Sequence, residues 1–132
     1  MGTKEKILSA HKVKEYALRA IAVQPDDAST LHVLGRWCFS VADVSWIEKR
    51  LAATLIASLP ESSFDEALSF FMRAHKSKEH FKSNALWIGH TYTKLKNKAN
   101  ARKWYRIAIE MPSMCELDHQ VTAEARECLS RL

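Results

Sequence analysis

Apolar residues along the chain recur at spacings of three and four, the period of a helix with one buried face, and not with the alternation of a half-buried strand. Between Ser83 and Pro112 the pattern is doubled. Ala85, Ile88, Gly89, Tyr92 and Leu95 mark one helix, and Ala101, Trp104, Tyr105, Ala108 and Ile109 mark a second. The polar stretch Lys94 to Asn100 turns the chain between them. Gly89 and Ala101 are small where two helices must approach closely, and larger residues fill the space around them. Pro112 ends the second helix.

The rest of the chain reads in the same way. Lys4 to Val23 is a helix with Ile7, Val13, Ala17, Ala20 and Ile21 on its buried side, stopped by Pro25. Asp26 and Asp27 offer N-caps for a helix from about Ala28 to Val41, with Leu31, Leu34, Gly35 and Cys38 facing the core. A later helix carries Phe64, Ala67, Leu68, Phe71 and Ala74, opened by the capping box Ser63 and Glu66. The intervening segment, Ala42 to Glu61, reads as an inserted helix over about Ser45 to Ser58. Ser45 and Glu48 cap it, Val44, Ile47, Leu51 and Leu55 line one side, and Pro60 closes it. Ser113 to Leu132 reads as a last helix with Leu117, Val121, Ala125, Cys128 and Leu129 inward. Its other side is charged, as suits the cap of a helical stack. The count is seven helices and no strands.

The placing of small and large residues resembles a tetratricopeptide repeat, a helix hairpin of thirty-four residues. Ile88, Gly89 and Tyr92 match on the first helix, and Ala101, Tyr105 and Ala108 on the second. Ala85 stands where the repeat usually has tryptophan, and Pro112 comes one residue early. The expected fold is all-α, built of antiparallel tetratricopeptide-like hairpins in a single domain over residues 1–132. An N-terminal helix occupies 1–25, a repeat with the inserted helix 28–77, a regular repeat 82–112, and a capping helix 113–132. The Ala20-to-Pro25 spacing is that of a repeat's tail whose first helix is missing.

Composition adds bounds. The 132 residues, 47% hydrophobic and 27% charged, suit one domain with a real core. No apolar run reaches the length of a membrane span, and no signal-peptide pattern opens the chain. Met1-Gly2 is followed by Lys6 where myristoylation expects Ser or Thr. The helical pattern begins at once, as it would in a piece of a longer chain. Cys38, Cys115 and Cys128 are odd in number and widely spaced. Cys38 and Cys128 fall in apolar stripes, so buried free thiols in a reducing compartment are expected.

Sequence motifs for catalysis are lacking: there is no phosphate-binding glycine loop, no G-x-S-x-G and no H-E-x-x-H. Asp118 and His119 are adjacent and diverge on a helix. His75 and His80 are five apart, and Cys115 with His119 has no second pair to complete a metal site. A non-enzymatic protein with no cofactor and no metal is expected. Trp104 belongs to a buried stripe, whereas Trp37, Trp46 and Trp87 sit beside core positions, either packing between helices or lining a groove. Positions equivalent to a repeat's concave side are His32, Arg36 and Phe39 in one hairpin and Leu86, His90, Thr93 and Lys94 in the other. The Lys/Asn set that clamps a peptide carboxylate in some tetratricopeptide domains is missing there, which disfavours a chaperone-tail adaptor. Arg36 either serves this groove or pairs with Glu48 of the insert.

The formal net charge is +5. Between Lys76 and Arg106 the bases Lys76, Lys78, Lys82, Lys94, Lys96, Lys98, Arg102, Lys103 and Arg106 meet the single acid Glu79. Lys98, Arg102 and Arg106 recur every four residues beside the core face. Either this is a solvated helix face or it awaits an acidic partner. Nucleic acid is not expected, since charge is unaccompanied by a recognition motif.

Gly35-Arg36-Trp37-Cys38-Phe39, then Ser45-Trp46-Ile47-Glu48-Lys49, then the extra helix and Asp65-Glu66-Ala67-Leu68 together resemble the regulator of microtubule dynamics family. The resemblance runs from about Leu31 to the C-terminus. It implies association with microtubules, a role in spindle organisation and chromosome segregation, and a cytoplasmic place on the cytoskeleton beside other spindle or adaptor proteins. Some members of that family are membrane-anchored instead, with the helical domain linked to lipid handling. The alternatives are therefore a lipid-binding or lipid-transfer domain, with an apolar cavity lined by Trp37, Phe39 and Trp87, and a peptide-binding adaptor. The resemblance brings no tubulin-contacting residues with it. Lys94, Lys96, Lys98, Arg102, Lys103 and Arg106 are the tubulin-binding candidates on charge alone.

Overall fold

A computed structural model describes residues 3–44 and 61–132, which form six α-helices. They are α1 (Thr3–Val23), α2 (Ala28–Ala42), α3 (Phe64–Ser77), α4 (Lys82–Lys94), α5 (Lys98–Glu110) and α6 (Glu116–Ser130). No strand occurs among the described residues. The inserted helix expected at about Ser45 to Ser58 lies outside them.

The helices begin where side chains can take over their unpaired N–H groups. Asp27 accepts from the Thr30 N–H at 3.2 Å, Ser63 from the Glu66 N–H at 3.0 Å, and Asn97 from the Asn100 N–H at 3.1 Å. Glu66 does not reach back to close its capping box. Its carboxylate instead accepts from the Cys38 thiol at 3.1 Å and the Ser62 hydroxyl at 3.0 Å, which ties α3 to α2.

Two hairpins set the architecture. In the first, α2 lies along α3, and in the second, α4 lies along α5. Each is closed by a glycine against an aromatic ring. A Cβ on Gly35 would come within 2.5 Å of the Phe71 ring, and one on Gly89 within 2.7 Å of the Tyr105 ring. Only a residue without a side chain permits those approaches. Ala67, Phe71, Ala74, Ala85, Ile88, Ala101, Tyr105 and Ala108 fill the space between the helices and are almost fully buried. Trp104 joins this core at 6% exposure. α6 packs on α5 and α4 through Val121 and Ala125.

α4 also neighbours α2 on one side and α6 on the other, so α2, α4 and α6 form one wall. Two buried polar links fasten the stack. The Asn84 amide donates to the Phe71 carbonyl at 2.9 Å, and its oxygen accepts from His32 Nδ1 at 2.9 Å, joining α2, α3 and α4. The Lys82 ammonium, 2% exposed, donates to the Ala108 carbonyl at 2.5 Å, the Met111 carbonyl at 2.6 Å and more weakly the Ile109 carbonyl at 3.4 Å. These are carbonyls at the open end of α5, where a cation also meets the negative end of the helix dipole.

α1 departs from expectation. Among the described residues it packs on α2 alone. Ala17 is buried, whereas Val13 is 43% exposed and Ala20 is exposed. The face expected to be buried lines an open groove of about 420 Å³ with Tyr16, Ser29, Thr30 and Val33. Leu117, expected inward, is 60% exposed, because it lies in the first turn of α6, ahead of the buried Val121 and Ala125. The thiols divide as well: Cys38 is buried, Cys128 is half-buried and Cys115 is exposed.

Candidate functional site: a basic turn and an aromatic wall

The turn between α4 and α5 is built on a left-handed residue. Lys96 has φ 63°, and the Asn97 N–H bonds the Tyr92 carbonyl while the Lys96 N–H bonds the Thr93 carbonyl. That is the Schellman ending of a helix, whose left-handed position usually holds glycine. An L side chain there costs about 1–2 kcal/mol. The sequence alone carried no sign of this.

On α5 the core face takes Ala101, Trp104, Tyr105 and Ala108, which turns the basic residues outward. Lys96, Lys98, Lys103 and Arg106 are exposed. Among the described residues none of the four pairs with a carboxylate, although the Lys103 ammonium rests 6.0 Å from the Trp104 ring. The other two predicted cations are engaged. Lys94 pairs with Asp43 at 2.9 Å, and half-buried Arg102 donates to the Leu132 carbonyl at 3.0 Å.

The wall of α2, α4 and α6 holds the residues expected to line a groove, and the structure sorts them. Leu86 is 2% exposed and belongs to the core. His32 is 7% exposed and committed to Asn84, so it too is withdrawn from the surface. Burial lowers the His32 pKa, opposed by the Asn84 bond and aided by the nearby Arg36 charge. Arg36, His90, Thr93 and Lys94 remain accessible to different degrees, with Phe39 largely buried beneath them.

Trp87 is the centre of this wall. The Arg36 guanidinium lies over its ring at 4.6 Å, a cation–π contact. Phe39 meets the indole edge-on at 5.1 Å, His90 does the same from the next turn at 5.1 Å, and Phe71 stacks behind it at 6.4 Å. His90 in turn joins Tyr105 through Nδ1 at 2.8 Å and faces Glu124 of α6 through Nε2 at 3.6 Å. Burial lowers the His90 pKa, with Glu124 opposing. Burial also pushes the Tyr105 hydroxyl up to about 12, so it stays protonated.

Trp37 stands apart from that cluster. Its indole N–H donates to the Ala10 carbonyl at 2.7 Å, and Lys14 lies over its ring at 4.8 Å. It therefore braces α1, while Phe39 and Trp87 pack on each other. The expected pairing of Arg36 with Glu48 falls outside the described residues, as does Trp46. Among the described residues, no three or more His, Cys, Asp or Glu side chains gather to hold a metal ion, and no helix is long and apolar enough to cross a membrane.

A wall of α2, α4 and α6 backed by α3 and α5, with a cationic turn at its edge and an arginine over its central tryptophan, gives the described residues an exposed basic surface and an aromatic face on an all-helical frame. Comparison with known proteins gives it a family. The profile described as Regulator of microtubule dynamics protein 1-3 matches residues 1–132, and the chain belongs to the regulator of microtubule dynamics family. It is 40% identical over 129 residues to regulator of microtubule dynamics protein 1 of Bos taurus, covering 97% of this chain and 41% of the bovine one. Protein 1 of Homo sapiens is 38% identical over 130 residues, with 98% and 41% covered. Protein 3 of Xenopus laevis is 31% identical over 129 residues, with 97% and 28% covered. The chain thus spans well under half the length of these relatives.

Proposed function

We propose that residues 1–132 form a single tetratricopeptide-like, non-enzymatic interaction module that binds microtubules through the basic turn and the outer side of α5. It would act in spindle organisation and chromosome segregation, in the cytoplasm on the cytoskeleton. The repeat reading is supported by position: Ala67, Phe71 and Ala74 on α3 recur thirty-four residues later as Ala101, Tyr105 and Ala108 on α5. Burial pushes the Cys38 thiol up to about 12, far from nucleophilic use at that position.

The observation that carries the microtubule reading is the set Lys96, Lys98, Lys103 and Arg106, exposed and unanswered by any carboxylate among the described residues. Microtubules present an acidic surface with acidic tails, and concentrated positive charge attracts it at long range. Each exposed ion pair contributes only about 0.2–1 kcal/mol, so the contact must be collective. Three pairs together would contribute roughly 2 kcal/mol, more than tenfold in affinity.

Co-sedimentation with polymerised tubulin tests this. Lys96→Glu, Lys98→Glu and Arg106→Glu are combined, and Lys12→Glu, Arg19→Glu and Arg131→Glu form a charge-matched control. Arg102 is left intact because it holds the Leu132 carbonyl. The first variant loses most binding and the control keeps most of it. Equal binding by the two overturns the localised site.

A further inference from the structure

The wall of α2, α4 and α6 is neutralised unevenly. Asp43 is answered by Lys94 at one end, and Glu124 faces His90 on the α6 side. Arg36, exposed between them, makes no hydrogen bond and no ion pair among the described residues. Its guanidinium nevertheless lies over the Trp87 ring, 4.6 Å from the centroid, and Phe39, His90 and Phe71 pack around the same indole. A cation–π contact of this kind engages no hydrogen-bond acceptor, so it leaves the guanidinium N–H groups to bond elsewhere. A planar fork of that kind, already ordered, fits a carboxylate through two parallel hydrogen bonds. The stacking also removes much of the entropy that a free arginine would lose on binding.

We propose that this wall is a second binding surface, on which Arg36 clamps a carboxylate of an acidic, extended peptide against the Trp87 plane. The inference rests on the microtubule reading, to which it adds a selective contact beside a non-selective one. Lys94 links the two surfaces. It borders the basic turn in sequence and bridges to Asp43 at the end of α2, so a peptide lying along the turn is led toward the wall. The turn contributes salt-sensitive attraction that any polyanion shares. The stacked arginine contributes the geometry that selects a planar carboxylate. The aromatic surface around it accepts the aliphatic stem of a glutamate.

The test uses the whole chain and a fluorescein-labelled octaglutamate peptide, read by fluorescence anisotropy at two salt concentrations. Arg36→Lys keeps the charge and discards the fork, and Trp87→Leu removes the platform and leaves the arginine. Denaturant melts of both variants accompany the binding data, so that loss of fold is separated from loss of contact. Arg36→Lys is expected to weaken binding about tenfold, with the salt dependence nearly unchanged. The combined Lys96, Lys98 and Arg106 reversal is expected to flatten the salt dependence instead. If Arg36→Lys binds the peptide as the unmodified protein does, the clamp is overturned while the basic turn stands. If Arg36→Lys keeps peptide binding but loses binding to phosphatidylserine vesicles, the wall is a lipid-headgroup surface and the peptide proposal is overturned. If the reversal leaves peptide and microtubule binding intact while Arg36→Lys removes the peptide, the clamp stands and the basic-turn reading falls.

Discussion

Gly89 lies so close under the Tyr105 ring that a methyl group in place of its hydrogen would sit 2.7 Å from two ring carbons. The ring has little room to retreat, since its hydroxyl is held by His90 at 2.8 Å and Thr93 at 3.2 Å. Gly89→Ala should therefore destabilise the protein by about 1–3 kcal/mol, the usual cost of overpacking a filled core. Gly35→Ala, facing Phe71 at 2.5 Å, should cost at least as much. Urea melts of both variants against Ala99→Gly, at an exposed position of α5, check the prediction. Ala99→Gly measures the helix-propensity difference that Gly→Ala gains back, and no net loss in either core variant would show that the rings move aside freely.

Lys96 should show stability and binding pulling in opposite directions. Its backbone is left-handed at φ 63°, where glycine costs nothing and lysine is strained. Lys96→Gly is expected to raise stability by up to about 1 kcal/mol and to weaken microtubule binding. Paired melting and co-sedimentation measurements decide it. A variant that is more stable and binds equally well would remove Lys96 from the contact.

Acid should weaken the fold before it breaks any ion pair. His32 and His90 both have pKa values lowered by burial from 6.5. The unfolded chain therefore takes up protons first as the pH falls, and stability drops from about pH 6.5 down through the folded-state values. Above that range the contribution is fully present. Thermal melts from neutral pH to about pH 5 should show a falling midpoint, and His32→Gln, which keeps a partner for Asn84, should flatten the slope. An unchanged slope in that variant and in His90→Gln would assign the acid sensitivity elsewhere.

Trp37 holds α1 through one hydrogen bond to the Ala10 carbonyl. Trp37→Phe should cost about 1 kcal/mol globally. Amide exchange over α1 should accelerate more than over α4 or α5, because α1 packs on α2 alone among the described residues. Uniform acceleration along the chain would show that Trp37 supports the core and not the outer helix.

Much of this architecture was legible in the sequence, and the exceptions have physical causes. Gly35, Gly89, Phe71 and Tyr105 announce the hairpins because helix spacing and residue size are local properties. The stops at Pro25 and Pro112 follow from proline chemistry for the same reason. Val13 and Ala20 misled, since an apolar stripe states that a face needs cover and not that a neighbour is present. His32 looked like a groove residue by position, but its partner Asn84 lies fifty-two residues away and leaves no local trace. Lys82 sat in a run of basic residues and read as surface. Only the folded stack brings the end of α5 over its ammonium. Lys96 escaped notice because a left-handed turn usually declares itself through glycine.

The buried Lys82 also gives the molecule an internal clock. Amine-acylating reagents reach exposed lysines such as Lys98 and Lys103 directly, but they reach Lys82 only when its ammonium leaves the three carbonyls at the end of α5. Burial lowers the Lys82 pKa, so once released the amine returns to its ordinary range and must still lose a proton to react. Its labelling rate, followed by mass spectrometry against Lys98 in the same molecule, counts the openings between α4 and α5. Because the basic turn joins those two helices, any partner that grips the turn should slow that clock without touching Lys82 itself.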